Sequence, residues 1–309
     1  MIVTFTPNPA IDVTYAVPSL LVGESHRVSV TGTHAGGKGL NVAGVLASMG
    51  VDHVAVAPIG DGERDFFIED AAQRGIRLQI VESPVATRRS VAVFGADGHA
   101  TVLNEQGGVL PVAVWDRVTD AVLRCCSPGD VLAIAGSLPP ATPEDVLVEL
   151  CREAHRAGVL LVIDGRGAWV EDVLAVAPAL VKPNASEATS MTGLADPTDA
   201  ARALVEQGAW AAIVSRGAEG LVLVTADGRV VQASPSSPGA GNATGAGDAL
   251  TAAVCAGIDG RDPADVDWTE VLRTGVAWSA AAVRQTLAGV IDRTDVDALL
   301  EEVVLLERS

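Results

Sequence analysis

Short, uninterrupted apolar runs recur along this chain with amphipathic stretches between them, and that rhythm constrains the fold more than any other feature. Segments 131–135, 159–164, 180–182 and 211–215 are almost wholly apolar over a few residues each. Runs of that length without alternation are typical of parallel strands covered on both faces. A further strand reads at 53–58, followed by a helix over 62–74. Helical patterns occupy 143–156, 185–191 and 197–207. Strands alternating with helices predict an α/β fold with a doubly wound, mostly parallel sheet, whose ligands sit at the carboxyl ends of the strands.

Two regions break the rhythm. Residues 9–35 and 87–105 alternate apolar and polar side chains between turn signals and show no helical pattern. Within the second, 91–94 and 101–103 read as a hairpin turning at Ala96-Asp97-Gly98. These regions are expected to form a small β-sheet that covers the site as a lid. Another hairpin is expected over 221–233, turning at Asp227-Gly228, and helices over 264–284 and 292–307. No linker or repeat divides the chain, so a single domain over 1–309 is expected, with a discontinuous lid from 9–35 and 87–105.

Hydrophobic residues make up 49% of the 309 residues and aromatics only 3%, so the core must be built from Ala, Val and Leu. The formal charge of −18 comes with no basic patch or tail. That excludes nucleic acid and anionic membrane surfaces as natural partners. No apolar run reaches the roughly 18 residues a membrane span needs. Residue 1 leads straight into an apolar strand at 2–5 with no charged leader, and the expected location is the cytoplasm. The four cysteines lack metal-ligand spacing and are expected to be reduced thiols. An acidic chain that handles phosphorylated ligands must gather its few cations locally.

The densest chemical signal is Asn242-Ala243-Thr244-Gly245-Ala246-Gly247-Asp248, leading into an apolar helical run. Glycines let backbone amides crowd one point, and a helix N-terminus adds partial positive charge there. An aspartate beside such an anion hole suits a general base for phosphoryl transfer to a hydroxyl. A plain glycine-rich N-cap with an acidic first turn fits the same residues. Ala35-Gly36-Gly37-Lys38-Gly39-Leu40-Asn41 approaches a phosphate loop, but Gly39 stands where that loop needs a Mg²⁺-binding hydroxyl. Lys38 among glycines still suits phosphate or sugar hydroxyls. Asp12, just after the first strand, can accept hydrogen bonds from a sugar. Asn184 and Glu187, three apart at a strand-to-helix junction, suit a water-mediated Mg²⁺, or equally a capping box. Ser215-Arg216-Gly217-Ala218-Glu219-Gly220 is a glycine-rich turn after a strand, fit for nucleotide phosphates.

Taken in order, these segments resemble the ribokinase-like (PfkB) sugar kinases, in the 1-phosphofructokinase and tagatose-6-phosphate kinase branch. Asn8-Pro9-Ala10-Ile11-Asp12, Gly36-Gly37-Lys38-Gly39-Leu40-Asn41, Gly136-Ser137-Leu138-Pro139-Pro140, Val181-Lys182-Pro183-Asn184 and Gly245-Ala246-Gly247-Asp248 carry the resemblance, which covers about residues 2–293. It implies a three-layer α/β/α sandwich with a small β lid, ATP and Mg²⁺ as cofactors, and transfer of the γ-phosphoryl group to a phosphorylated ketohexose. The leading substrate is fructose 1-phosphate, with tagatose 6-phosphate and fructose 6-phosphate as alternatives. By the same resemblance Asp248 is the base, and the amides of Gly245, Ala246 and Gly247 form the anion hole. Asp12, Gly37, Lys38, Asn41 and Arg88 hold the sugar phosphate. Ser215, Gly217, Glu219, Gly220 and Gly247 lie along the nucleotide, Asn184 and Glu187 hold the metal, and two copies pair through their lids.

Three positions depart from the branch. Asp164-Gly165-Arg166-Gly167 replaces its usual Asp-Ser-Ser, Ser90 replaces a common asparagine, and Ala243 replaces Thr or Ser. None removes a catalytic group, though the first two lie near the expected sugar pocket. A sugar-phosphate sensor without turnover is the rival reading. A dinucleotide enzyme is disfavoured because Gly239-Ala240-Gly241 has Thr244 where the third glycine belongs.

Overall fold

A computed structural model describes residues 1–95, 100–237, 244–285 and 287–308. The turn at Ala96-Asp97-Gly98, the segment Gly239–Gly241 and residues Asn242 and Ala243 lie outside the described residues.

Among the described residues fourteen strands form two sheets. In chain order they are β1 (Ile2–Phe5), β2 (Ala10–Ala16), β3 (Ser29–Gly36), β4 (His53–Gly60), β5 (Leu78–Ser83), β6 (Arg88–Phe94), β7 (Ala100–Asn104), β8 (Val131–Ala135), β9 (Leu160–Asp164), β10 (Leu180–Val181), β11 (Ala211–Ser215), β12 (Leu221–Thr225), β13 (Val230–Pro235) and β14 (Val303–Arg308). The helices are α1 (Lys38–Ser48), α2 (Arg64–Gln73), α3 (Val112–Cys125), α4 (Val146–Arg156), α5 (Ala168–Leu174), α6 (Ala185–Thr192), α7 (Pro197–Glu206), α8 (Ala246–Ile258), α9 (Trp268–Val283) and α10 (Arg293–Leu300).

The large sheet runs β14-β13-β12-β11-β10-β9-β8-β1-β4-β5. From β11 to β5 every pairing is parallel, and β12, β13 and β14 add on antiparallel. Its strands alternate faces with period two. In β8, Leu132 and Ile134 enter the core beneath α3, α4, α5 and α7, while Val131, Ala133 and Ala135 enter the opposite core beneath α1, α8, α9 and α10. Both faces are thus apolar and covered by helices, which explains the continuous runs in the sequence and gives the expected α/β/α sandwich. The chain moves from β1 out to β5 on one side, then returns to β8 on the other. The switch point therefore opens between β1 and β8, where an α/β sheet offers a crevice for ligands.

The second sheet has the order β3-β2-β6-β7 and lies within the two regions that broke the rhythm. β2 runs antiparallel to β3 and parallel to β6. The 221–233 hairpin forms as β12 and β13. All four cysteines are free thiols, with Cys151 and Cys255 buried.

One expectation fails. The helix over 292–307 ends at Leu300, and Val303–Arg308 becomes β14 at the sheet edge, pairing antiparallel with β13. Val304 and Leu306 are exposed while Val303 and Leu305 pack on the core, a period-two pattern that suits a strand. Without this strand β13 would leave an open edge, which tertiary pairing closes. The 264–284 helix starts late, at Trp268, because Asp267 caps it by accepting from the Glu270 amide.

Candidate active site

One short segment, the start of α1, touches three carboxylates from distant parts of the chain. The Asp12 carboxylate lies against Gly36, where the Gly37 amide helps to hold its carboxyl down, Lys38 Nζ lies 2.8 Å from Asp164 Oδ1, and Asn41 Nδ2 donates to Asp248 Oδ2 at 2.9 Å. The segment can do this because β3 delivers it across the carboxyl ends of β1 and β8. Gly36 has no Cβ, and one placed there would collide with the Asp12 carboxylate.

Asp248 stands in the first turn of α8 and is 6% exposed. The helix N-cap is Gly245, at φ 87°, a left-handed conformation that glycine adopts without strain. A Cβ on Gly245 would sit 3.0 Å from Ala288 Cα, so the residue is also closely packed. The first amides of a helix have no intrahelical acceptor and point outward with the positive end of the dipole. Burial, then the like charge of Asp164, pushes the Asp248 carboxyl up to about 7, against the pull of Lys38, Asn41 and Lys182. A buried carboxylate that titrates near neutral pH, next to an anion-stabilising helix end, can accept a proton from a hydroxyl.

Asp164, at the end of β9, received no role from the sequence; only the residues after it, Gly165 and Arg166, depart from the family pattern. It is 1% exposed and takes Lys38 on one oxygen, with Lys182 Nζ at 3.1 Å and the Thr251 hydroxyl at 2.9 Å on the other. Burial alone would raise its carboxyl, but Lys182 and Lys38 hold it down to about 2. The chain contains only two lysines, and both meet on this one carboxylate. That count was the available signal: two lysines among 309 residues, each inside a motif. Lys182 is almost buried, whereas Lys38 remains 40% exposed and can reach a bound anion.

Asp12 lies at the base of the small sheet. Burial raises its carboxyl to about 6, opposed by Arg88, the Gly37 amide, Arg74 and Ser90. Arg88 Nε donates to the Asn8 carbonyl at 3.2 Å and Nη1 to the Glu105 carbonyl at 3.2 Å, so backbone from both sides holds it beside Asp12. Ser90, the second departure, stands opposite Asp12 across β2 and β6 and helps to hold its carboxyl down. Arg166 is exposed, and its carbonyl accepts from Trp169.

On the other side of Lys38, Asn184 caps α6. Its Oδ1 accepts from the Glu187 amide at 2.9 Å, and Glu187 Oε2 accepts from the Asn184 amide at 3.0 Å. The capping box is therefore formed; Asn184 is exposed and Glu187 half-buried, and both side chains still offer oxygen lone pairs. Among the described residues no three His, Cys, Asp or Glu side chains are placed to hold a metal. Asn184 pairs in a parallel bridge with Ser215, which brings the glycine-rich turn alongside. Gly217–Glu219 forms a 3₁₀ turn there. The exposed Glu219 contributes its carbonyl to Arg216. Gly247 lies next to Lys182, where a Cβ would be 3.7 Å from Nζ.

A largely parallel α/β sandwich with a buried aspartate in the first turn of a glycine-capped helix, two lysines gathered on one carboxylate and a separate small sheet is the arrangement of phosphotransferases that act on a sugar hydroxyl. Comparison with known proteins agrees. The model of the pfkB family of carbohydrate kinases matches residues 8–294, and the chain belongs to that family. A 1-phosphofructokinase of Escherichia coli (strain K12) is 32% identical over 98% of this chain and 97% of its own length. One from Haemophilus influenzae is 31% identical, with the same coverage. Among solved structures, phosphofructokinase-2 from Escherichia coli in complex with fructose-6-phosphate superposes with TM-score 0.85 at 26% identity, over 97% of this chain and 98% of that one. The chain is a PfkB carbohydrate kinase, and ATP is the phosphoryl donor of this family.

Proposed function

We propose that this kinase, working as one domain, phosphorylates fructose 1-phosphate with ATP, giving fructose 1,6-bisphosphate and ADP. The observation that carries the chemistry is Asp248, buried against the anion hole with Asn41 fixing one carboxylate oxygen. The substrate follows from the 1-phosphofructokinases at about 32% identity over nearly the whole chain. Asp12 accepts hydrogen bonds from the sugar, and Lys38 and Arg88 meet its phosphate, since an uncharged sugar has no need of two cations.

Asp248 orients the acceptor hydroxyl and takes its proton as that oxygen attacks the γ-phosphorus. The bond to the β–γ bridging oxygen breaks, and ADP leaves. Gly245, Ala246 and Gly247 donate their amides to the charge on the moving phosphoryl group. Asp164 keeps Lys38 and Lys182 in place near that charge. Ser215, Gly217 and Gly220 line the nucleotide, beside Gly247. Asn184 and Glu187, with hard oxygens free beyond their capping box, fit Mg²⁺ held largely through water. The ion supplies charge neutralisation on the ATP phosphates when bound. The small sheet closes as a lid and keeps water from ATP.

The lid leaves Val30 and Leu103 about 60% exposed. Large apolar side chains on an open sheet favour pairing of two copies, and we assign a homodimer through this face. The chain acts in the cytoplasm, where ATP and sugar phosphates are found. A second reading, fructose 6-phosphate as substrate, draws on the phosphofructokinase-2 complex.

The test is ATP consumption with Mg²⁺ on fructose 1-phosphate, tagatose 6-phosphate, fructose 6-phosphate, fructose and ribose, with Asp248→Asn alongside. The expected result is the highest kcat/KM on fructose 1-phosphate, lost in the variant. Preference for fructose 6-phosphate selects the second reading. Turnover of free sugars alone removes the assignment of Lys38 and Arg88.

A further inference from the structure

Arg74, at the C-terminal end of α2, belongs to none of the motifs, yet its guanidinium sits between the end of β3 and the loop at 287–291. Nη1 donates to the Ala35 carbonyl at 2.8 Å, one residue before the Gly36-Gly37-Lys38 segment. Nη2 donates to the Gly289 carbonyl at 3.1 Å, next to the Ala288 that packs on Gly245. The side chain is only 14% exposed and is paired with Asp70. Asp70 in turn accepts from the Ala35 amide at 3.1 Å, so both polar groups of that residue are bound by one ion pair. The surroundings are shaped to admit the guanidinium: a Cβ at Gly44 or at Gly289 would collide with Nη2. A Cβ at Gly289 would also come within 2.9 Å of Asn41 Cα, so the clamped loop rests on the residue that fixes Asp248.

We propose that Arg74 is a positioning residue whose fork ties the end of β3, which leads into the sugar-binding Gly37-Lys38 segment, to the loop behind the anion hole and so sets the separation of acceptor hydroxyl and γ-phosphorus. A guanidinium does this where an ammonium does not, because its planar donors reach two carbonyls at once. Burying that charge is costly unless it is fully paired, and here Asp70 and the two carbonyls pair it. A displacement of about 1 Å between reacting groups costs about a hundredfold in rate.

This inference rests on the kinase reading above, and its test separates the two. Arg74→Lys keeps the charge beside Asp70 but spans one carbonyl, and Arg74→Met removes both contacts. Steady-state kinetics with ATP and the sugar phosphates are measured well below the melting temperature of each variant. Hydrogen exchange is followed in unliganded protein over residues 35–41 and 287–291, with β12 and β13 as the distant control. The expected result is a kcat roughly tenfold lower in the lysine variant and about a hundredfold lower in the methionine variant, with KM for ATP within about twofold of wild type. Exchange should quicken in both segments of Arg74→Met and stay unchanged in the control. Wild-type kcat in Arg74→Lys, or a loss in Arg74→Met that only follows the folded fraction, overturns the proposal. If the wild-type protein turns over no sugar, the kinase reading fails and exchange alone decides. Faster exchange in both segments then supports the clamp, and in one or neither refutes it.

Discussion

A carboxylate raised to neutral pH by burial costs folding free energy once it ionises, and replacing Asp248 should make the protein more stable as it destroys activity. Asp248 ionises near 3.8 in the unfolded chain and at about 7 when folded. Below 3.8 both states hold the proton, and the group adds nothing to the pH dependence. Between 3.8 and 7 the unfolded chain has lost its proton while the folded protein keeps it, so the folding cost of Asp248 grows with pH. Above 7 the cost is complete. A gap of about three pH units corresponds to about 4 kcal/mol, with about half of that reached by pH 5.5. Asp248→Asn removes the charge and the repulsion from Asp164. Its stability advantage over wild type should therefore widen by about 2 kcal/mol between pH 5.5 and pH 8. Urea unfolding of both proteins without ligand at the two pH values measures this change, which is independent of any fixed cost of the amide. At the same time kcat should fall by roughly 10²–10⁴. A stability gap that is constant or narrows from pH 5.5 to pH 8 would refute the reasoning, because Asp248 would then titrate as an ordinary carboxylate.

Gly36→Ala places a methyl group in the space of the Asp12 carboxylate, so KM for the sugar should rise about tenfold or more while KM for ATP stays near wild type. Lys182→Met leaves Asp164 buried with Lys38 as its remaining lysine, and unfolding at pH 7 should show a loss of about 3 kcal/mol. Because Asp164 is held down to about 2, its contribution is present above the ordinary 3.8 and fades as pH falls toward 2, so the loss should shrink at pH 3. The Lys38→Met variant, which removes the more exposed lysine, should lose less. Leu103→Glu puts a charge on the exposed apolar face of the lid, and sedimentation should show monomers where wild type shows dimers; an unchanged dimer would move the interface elsewhere.

Much of the architecture is legible in the residues themselves. Continuous apolar runs such as 131–135 can be satisfied only by strands covered on both sides, and the loss of that rhythm near 9–35 and 87–105 marks the small sheet. The segments Gly36-Gly37-Lys38 and Gly245-Ala246-Gly247-Asp248 announce anion chemistry because few other uses bring glycines, small residues and a charge so close together. Asn184 and Glu187 were ambiguous for a physical reason: the spacing that makes a capping box also makes a pair of metal-facing oxygens, and the formed box leaves the second use open.

Other features had no local signature. Val303–Arg308 is apolar enough for a helix, and only the open edge of β13 makes it a strand. Arg74 is one of many arginines until α2 carries it between Ala35 and Gly289. Asp164 is one carboxylate at the end of an apolar strand, 126 residues from the Lys38 it binds. By itself the sequence determined most of the strands and helices and marked the stretches whose backbone suits an anion, since periodicity and backbone freedom are local properties. The tertiary structure alone decided which charges meet, because the fold brings Asp12, Asp164 and Asp248 to the start of α1, and burial there pushes every one of these carboxyls up, a shift that prevails at Asp12 and Asp248 and that Lys182 and Lys38 reverse at Asp164.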